Sequence, residues 1–427
     1  MSYFLPYPGV RFVQVLALIS CANDFDYHID LSLSWDFEQR MLTISQSLSS
    51  SSPLVLEKDV HGCWQVRGYE EARFLLNSHT TQAGFGTEQM VRQRRFTPPI
   101  PAIDGDEHRE RRSQVAKFFT PLAATNRYKD LMSVYADQII ESFQPGTTID
   151  FKNLSTQMAS AVVCEVVGLT NSIRSGLEDR FLYVASHHDV GSLSPRPKDL
   201  YNMFSTARTL LEFWLFDIRP AIQARKQTTK NDLISHMMSK NLNGLSIMIE
   251  CITYGLAGVL TTREFMCSAL ELCLQEPEYR DLILQDNQEL RTRFLYEVLR
   301  LNPVTSHLTR RAAEDIQITS NGQTFTIRQG ELIVFNIFEI DTDSRALGAD
   351  ALLLRLDRSY ESRIMWSMLV FGAGPHRCPG EALAILETDI LLSQLHALDI
   401  EALQSPTRGF NEPSKTNELH NFMIHRN

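Results

Sequence analysis

The loop at residues 371–380, FGAGPHRCPG, constrains this chain more than any other stretch. It follows a short apolar run at 367–370 and precedes residues 381–395, whose composition is typical of a helix. The glycines permit a tight backbone path around Cys378. Cys378 lies near the N-terminus of the predicted helix, where backbone N–H groups and the helix dipole favour a thiolate. No second cysteine is close in sequence, so the pattern indicates a metal held by one protein sulfur rather than a zinc site or a disulfide. The alternative is a strand-to-helix turn that buries an inert cysteine.

The loop resembles the haem-binding loop of the cytochromes P450, in which the pattern is Phe-x-x-Gly-x-x-x-Cys-x-Gly. Phe371, Gly374, Cys378 and Gly380 match it. The resemblance implies that Cys378 is the thiolate ligand of the iron of haem b, and that the other three residues shape the loop around the cofactor. It also implies the mainly α fold of the family, a single α+β domain with a small β region.

The length of 427 residues would by itself suggest two or three domains. The resemblance instead assigns residues 53–427 to one haem-thiolate domain and leaves residues 1–52 as an N-terminal extension with a first helix at 35–48. Helical periodicity dominates the chain, and the few strand-like runs do not alternate regularly with helices. This pattern favours a mainly helical fold over a doubly wound sheet.

Composition excludes some classes of partner and compartment. The net charge of −10 argues against a nucleic-acid partner. Seven scattered cysteines without a Cys-x-x-Cys pair indicate a reducing compartment, and we expect a cytoplasmic protein. The apolar run at 12–22 is too short to span a membrane, so no stable membrane span is expected.

A second motif lies in the long apolar stretch at 246–274, which predicts a buried helix. Residues 257–262 are Ala-Gly-Val-Leu-Thr-Thr, and the family has Ala-Gly-x-acid-Thr in the helix that crosses over the haem. The resemblance implies that Ala257 and Gly258 lie against the cofactor, with Gly258 leaving room for a ligand. It also implies that Thr261, with Thr262 beside it, helps to deliver protons during oxygen activation. Thr261 can bond the carbonyl of Ala257 and so open a groove in the helix, although this bond could also be its whole role.

The acid position of this motif is occupied by Leu260, which cannot relay protons. Glu264 lies one turn further along the same helix face and could substitute through water. The alternative is that Glu264 pairs with Arg263 or another neighbour. A reaction with a different proton demand, such as oxidative coupling or desaturation, would also explain the missing acid.

Glu297 and Arg300 lie three residues apart and therefore on one face of a predicted helix at 288–301. They match the Glu-x-x-Arg motif of the family, an ion pair that braces the haem-binding loop. The resemblance implies a third member further along the chain. Arg358 is the first candidate and Arg355 is the rival.

Four cationic positions match those that bind the two haem propionates in the family. His108 and Arg112 lie one turn apart on a helix that follows a long loop at 80–101, and His376 lies two residues before the cysteine. Arg310 fits the fourth position better than Arg311, because the arginine of the family precedes one variable residue and then alanine.

Pro379 follows the cysteine directly and has no N–H group. One possible hydrogen-bond donor to the sulfur is therefore absent. Fewer donors leave more electron density on the sulfur and on a metal bound to it, so we expect a lowered reduction potential.

The resemblance implies a monooxygenase of the soluble, bacterial-type branch that reductively activates O2. Its substrate would be a small organic molecule, such as a secondary-metabolite intermediate, oxidised by hydroxylation, epoxidation or oxidative coupling. Electrons would come from a ferredoxin and its reductase. The expected pocket is built from residues 78–100, 185–205, 254–261, 304–307 and 409–413. A peroxide-driven haem-thiolate enzyme and a non-catalytic haem-binding protein are the alternatives.

Overall fold

The computed structural model describes residues 54–84, 97–186, 197–360, 364–411 and 415–427. The predicted helix at 35–48 lies outside these residues. The helices that position the site are α1 (Tyr69–Leu76), α2 (Gly105–Val115), α3 (Lys129–Ser142), α4 (Phe151–Val167), α5 (Leu177–Ser186), α6 (Pro197–Phe213), α7 (Arg219–Gln227), α8 (Leu233–Ser239), α9 (Gly244–Gly255), α10 (Thr261–Gln275), α11 (Pro277–Leu284), α12 (Gln288–Leu301), α13 (Ile337–Asp341), α14 (Ser344–Leu347) and α15 (Glu381–Leu395).

In the described part of the chain the strands are short and fall in four small sheets. They are β1 (Leu56–Lys58), β2 (Trp64–Val66), β3 (Thr80–Gln82), β4 (Thr148–Asp150), β5 (His307–Ala312), β6 (Ile316–Ser320), β7 (Gln323–Ile327), β8 (Leu332–Asn336), β9 (Ile400–Ala402), β10 (Thr407–Asn411), β11 (Thr416–His420) and β12 (Met423–Arg426). The mainly α fold with a small β region is thus confirmed.

One long helix runs through the centre of the larger core. The segments α9 and α10 join through a π-helical turn at Leu256–Leu260 into a continuous helix, Gly244–Gln275. Asn243 caps its start by accepting a hydrogen bond from the Ser246 N–H at 2.9 Å. By length and composition this helix, of mean hydropathy 1.5, could cross a membrane, but 56% of its apolar window is buried inside the protein. Its apolar character is explained by packing against α4 and α15.

The largest sheet has the strand order β1-β2-β8-β5-β3. The β1–β2 hairpin is antiparallel, with Leu56 opposite Val66. Strand β3 lies where the sequence predicts a loop, and β5 is also unpredicted. Two adjacent arginines in β5 obscure its alternation, but antiparallel pairing with both β3 and β8 fixes it as a strand.

Glu297 and Arg300 form the expected ion pair in the buried end of α12. The guanidinium binds the carboxylate in bidentate fashion at 2.7 and 2.8 Å, and both side chains are buried. Arg358 is the third member, with Nε 3.7 Å from Glu297 Oε1. Tyr360 also donates to this carboxylate at 3.0 Å, whereas Arg355 contributes only its backbone N–H at 3.0 Å. The choice of Arg358 over Arg355 is therefore confirmed.

We predict that Glu297→Gln lowers the free energy of unfolding by about 3–5 kcal/mol, because it leaves the buried Arg300 guanidinium without its paired carboxylate. Glu289→Gln on the same helix is the matched control. Its exposed pair with Arg293 spans four residues, and we expect a loss of only about 0.3–0.5 kcal/mol. Denaturant unfolding of the two variants measures the difference, and equal losses would contradict the assigned brace.

Candidate active site

The cysteine loop is held by backbone contacts that require glycine. The Cys378 N–H donates to the carbonyl of Phe371 at 2.8 Å, and a 3-10 turn spans Gly374–His376. Gly374 has φ +67°, and a Cβ there would lie 2.3 Å from the carbonyl oxygen of Leu76 at the end of α1. Any larger residue would be strained and would push the loop off α1. The sequence motif is thus explained by a close backbone approach.

Cys378 is the only exposed cysteine among the six in the described part of the chain. Its side chain is accessible to solvent, yet surrounding protein desolvates it, and this desolvation raises the pKa of its thiol. A hydrogen bond from the Gly380 N–H and the positive charges of Arg112 and Arg377 act in the opposite direction. Although Pro379 offers no donor, the turn therefore keeps one donor to the sulfur.

Two histidines stack at the side of this loop. The rings of His108 and His376 lie 4.0 Å apart, centroid to centroid. His376 Nε2 lies 2.8 Å from Asp104 Oδ1. His108 is only 1% exposed, and neither of its ring nitrogens has a hydrogen-bond partner. Burial, assisted by His376 and Arg112, lowers the pKa of His108 to about 4, so the ring is neutral at pH 7. A buried, unsatisfied imidazole indicates a site that is completed by a ligand.

Two arginines complete this cluster. Arg310 is 4% exposed, and burial lowers its pKa to about 10 even though the charge of Asp104 opposes the shift. No described carboxylate lies within ion-pair distance of its guanidinium, which donates to the Thr309 carbonyl at 2.7 Å. Arg112 donates to the Arg377 carbonyl, and burial lowers its pKa while nearby Cys378 counteracts the shift.

These donors fit the haem expected from the sequence. Of the four predicted propionate partners, Arg112 and Arg310 are cations without a described carboxylate partner, and both ring nitrogens of His108 lack a hydrogen-bond partner. Such groups suit the two carboxylates of the cofactor. Within the described ranges no group of three or more His, Cys, Asp or Glu residues could hold a metal ion. A metal at Cys378 must therefore bring most of its ligands with it, as a haem iron does.

Part of the predicted motif at residues 257–262 has the expected geometry. The Thr261 hydroxyl donates to the Ala257 carbonyl at 2.6 Å, at the end of the π-helical turn. This bond and the turn confirm the predicted loosening of the helix. Ala257 is exposed although it lies in a core helix, and Leu260 is buried. Exposure at the middle of a buried helix marks the wall of an internal space.

Three predicted residues lie elsewhere. A Cβ on Gly258 would approach Val163 Cγ2 of α4 to 2.5 Å, so this glycine permits helix packing and does not leave room for a ligand. Thr262 is buried and its side chain bonds Glu387 of α15. Glu264 is fully engaged in buried hydrogen bonds and ion pairs, described below. The structure therefore supports the alternative reading of Glu264, in which it pairs with Arg263 and other neighbours, and it gives Gly258 and Thr262 contacts with α4 and α15.

Helix α2 connects the two sides of the site. Arg111 on α2 donates to Glu250 of α9 at 2.7 Å, and the next residue, Arg112, reaches the cysteine loop. Asp104 precedes α2, orients His376 and accepts the Gln82 N–H at 3.1 Å. The sequence gives little sign of this role, because an aspartate before Gly-Asp-Glu is typical of a helix start.

Comparison with known proteins agrees with this site. A family model described as Cytochrome P450 matches residues 64–396. The chain belongs to the cytochrome P450 family. It is accordingly a haem-thiolate monooxygenase, and haem b is its cofactor. This assignment confirms the enzyme class and the cofactor expected from the sequence.

The relatives of this P450 are distant. Cytochrome P450 109 of Bacillus spizizenii is 23% identical over 385 residues, covering 85% of this chain and 88% of that protein. Nocardicin C N-oxygenase of Nocardia uniformis subsp. tsuyamanensis is 24% identical over 348 residues, covering 78% and 81%. The solved structure of P450BioI in complex with a hexadec-9Z-enoic acid ligated acyl carrier protein has a TM-score of 0.72 at 20% identity. It covers 92% of this chain and 100% of that chain. At this identity the structure establishes the fold alone.

We predict that Arg310→Met releases haem about tenfold faster than the wild type, because one charge-assisted bond to a propionate is worth about 1.5–3 kcal/mol. Arg311→Met is the matched control on the same strand, since Arg311 is only half-buried and donates to the Gly330 carbonyl at 2.7 Å. Haem transfer to an excess of a scavenging apoprotein measures the rate. Equal rates of haem release for the two variants would show that Arg310 does not bind a propionate.

Proposed function

We propose that this P450 oxidises a small secondary-metabolite intermediate by hydroxylation, epoxidation or oxidative coupling. Electrons come from a ferredoxin and its reductase, and the enzyme works in the cytoplasm. The name of the relative nocardicin C N-oxygenase supports a secondary-metabolite substrate. The scattered cysteines of the chain support a reducing compartment.

The roles of the site residues follow from their contacts. Cys378 supplies the thiolate ligand, and Phe371, Gly374 and Gly380 shape its loop. The propionates take hydrogen bonds from the four donors described above, which are His108, Arg112, Arg310 and His376. The unpartnered ring nitrogens of His108 support this role most directly. Bound haem supplies the activation of dioxygen, and Ala257 faces the space in which it occurs.

The hydrogen bond from Thr261 to the Ala257 carbonyl carries the proposal of an oxygenase. Because the hydroxyl donates its own proton to the helix, its oxygen can accept a hydrogen bond from the open side. The π-helical turn frees backbone groups beside it and makes room for water. Neither Leu260 nor the engaged carboxylate of Glu264 can supply protons there. Proton delivery therefore runs through Thr261 and water in the groove.

A peroxide-driven reaction is the second candidate, and the buried Leu260 favours it. Peroxide brings the electrons and protons that the reductive route must import, so it does not need the missing acid. Turnover with hydrogen peroxide alone, at a rate equal to that with a reduced ferredoxin, would select this route. A non-catalytic haem protein is the remaining alternative, and it would oxidise no substrate with either donor.

We predict that Thr261→Ala directs electrons away from product. The fraction of reducing equivalents released as hydrogen peroxide should rise, and product per equivalent should fall about tenfold or more, because positioned proton transfer is lost. Thr262→Ala is the matched control, since its side chain bonds Glu387 and does not face the groove.

The same preparations first require a carbon monoxide difference spectrum of the reduced protein. We expect the red-shifted band of thiolate ligation in both threonine variants and its loss in Cys378→His. Unchanged coupling in Thr261→Ala would exclude the proton route through Thr261. A band that persists in Cys378→His would exclude Cys378 as the ligand.

A further inference from the structure

A buried group of four charged side chains joins the β10–β11 hairpin to the helix that carries Thr261. It consists of Lys152 on α4, Arg263 and Glu264 on α10, and Glu418 on β11. We call these four residues the hairpin clamp. Their side chains are between 2% and 16% exposed. The clamp starts two residues after Thr261, on the part of the helix next to the π-helical turn.

The clamp is a closed set of ion pairs. Lys152 Nζ lies 3.2 Å from Glu264 Oε1 and 3.1 Å from Glu418 Oε2. Arg263 lies 2.7 Å from Glu264 Oε1 and 3.2 Å from Glu418 Oε1. The second oxygen of Glu264 accepts the Leu419 N–H at 2.8 Å, so the helix also holds the strand backbone directly. Asn411 on the facing strand donates to Glu418 Oε1 at 2.9 Å.

A second anchor lies two turns further along the same helix. Glu271 accepts two hydrogen bonds from Arg408 of β10, at 2.8 and 2.9 Å. Arg408 pairs across the hairpin with Leu419, the residue that Glu264 holds. The hairpin is thus fixed to α10 through both of its strands.

The same hairpin is attached to the segment before β5. The Asn417 N–H donates to the Val304 carbonyl at 2.8 Å, and its side chain donates to the Pro303 carbonyl at 2.8 Å. The Ser306 N–H donates to the Lys415 carbonyl at 3.2 Å. The clamp therefore fixes the relative positions of three segments that belong to the predicted pocket walls, those around Thr261, around Val304 and at residues 409–411.

The charges of the clamp indicate a role in geometry rather than in stability. The charges of the two acidic and two basic side chains cancel. Burying such a set adds little folding stability compared with apolar side chains of the same volume. Burial alone would raise the pKa of Glu418, but Lys152 and Arg263 outweigh it and hold the pKa below its usual value. Glu418 therefore stays ionised, and its directional bonds hold one position of the hairpin where apolar packing would permit several.

We propose that the hairpin clamp is a positioning device that sets the width of the substrate pocket, by fixing the β10–β11 hairpin against the helix that carries Thr261. The proposal rests on the proposed function, since it assigns the clamp to the pocket of that enzyme. Its residues touch neither the cofactor nor the reacting atoms. They act through the hairpin, and selection of the substrate by size is the property that they control.

The test compares two azole probes that bind haem iron and differ in bulk, imidazole and 4-phenylimidazole. We expect Glu418→Gln to lower the affinity for 4-phenylimidazole, relative to imidazole, by about tenfold, because a released hairpin no longer packs on the larger ring. The shift of the haem absorption band on titration measures both affinities. The double variant K152M/E418Q removes one charge of each sign, and the same fall is expected in it. If the single variant does not fold, the affinity ratio of the double variant decides the test.

Asp389→Asn is the matched control, because Asp389 pairs with Arg291 at 2.6 Å in a similarly buried ion pair that joins α15 to α12. It should lower stability without changing the ratio of the two affinities. A ratio within twofold of the wild type in E418Q and in the double variant would overturn the clamp. A change of the ratio in Asp389→Asn as large as that in E418Q would also overturn it. Failure of the proposed function is distinct, since the wild type would then oxidise no substrate with a reduced ferredoxin, whereas the azole titrations require only bound haem.

Discussion

The cysteine loop depends on the buried ion pair of Glu297 and Arg300, which supports the segments packed behind it. Arg300 not only binds Glu297 but also donates to the carbonyls of Asp341, Ala351 and Leu353. Asp341 in turn accepts the N–H of Leu369, immediately before the loop. The Arg300 guanidinium in α12 therefore donates hydrogen bonds to backbone carbonyls across residues 341–353, a stretch with little regular secondary structure. Without it the carbonyls of Asp341 and Ala351 would lose this donor, and the loop would lose its support.

The two sides of the site are built in opposite ways. On the cysteine side, Gly374 in a left-handed conformation and backbone hydrogen bonds leave the loop little freedom. On the oxygen side, the helix gives up regular hydrogen bonds at the π-helical turn, and Thr261 compensates one carbonyl with its hydroxyl. A rigid loop suits a permanent metal ligand, whereas a loosened helix admits water and small reactants.

Features governed by local backbone constraints could be predicted from the sequence. The cysteine loop and the Glu297–Arg300 pair are of this kind, because close spacing in sequence fixes their geometry. Features governed by distant packing could not. The contact between Gly258 and Val163 cannot be read from the motif, because Val163 lies far away in sequence. For Glu264 the sequence offers the pairing with its neighbour Arg263, but not the contacts with Lys152 and Leu419, which are distant in sequence on either side. Strand β5 depends on pairing with two strands that are themselves distant.

The contacts of Glu264 also explain why this chain cannot use the nearest carboxylate as a proton relay. A relay must gain and lose its proton in each cycle. Both oxygens of the Glu264 carboxylate are already occupied, Oε1 by Arg263 and Lys152 and Oε2 by the Leu419 N–H. The contacts that hold the hairpin therefore leave this carboxylate no free oxygen for a relay water. With Leu260 at the acid position and Glu264 in the hairpin clamp, the proposed route through Thr261 and water is the one that these contacts leave open, and the π-helical turn beside Thr261 provides its opening.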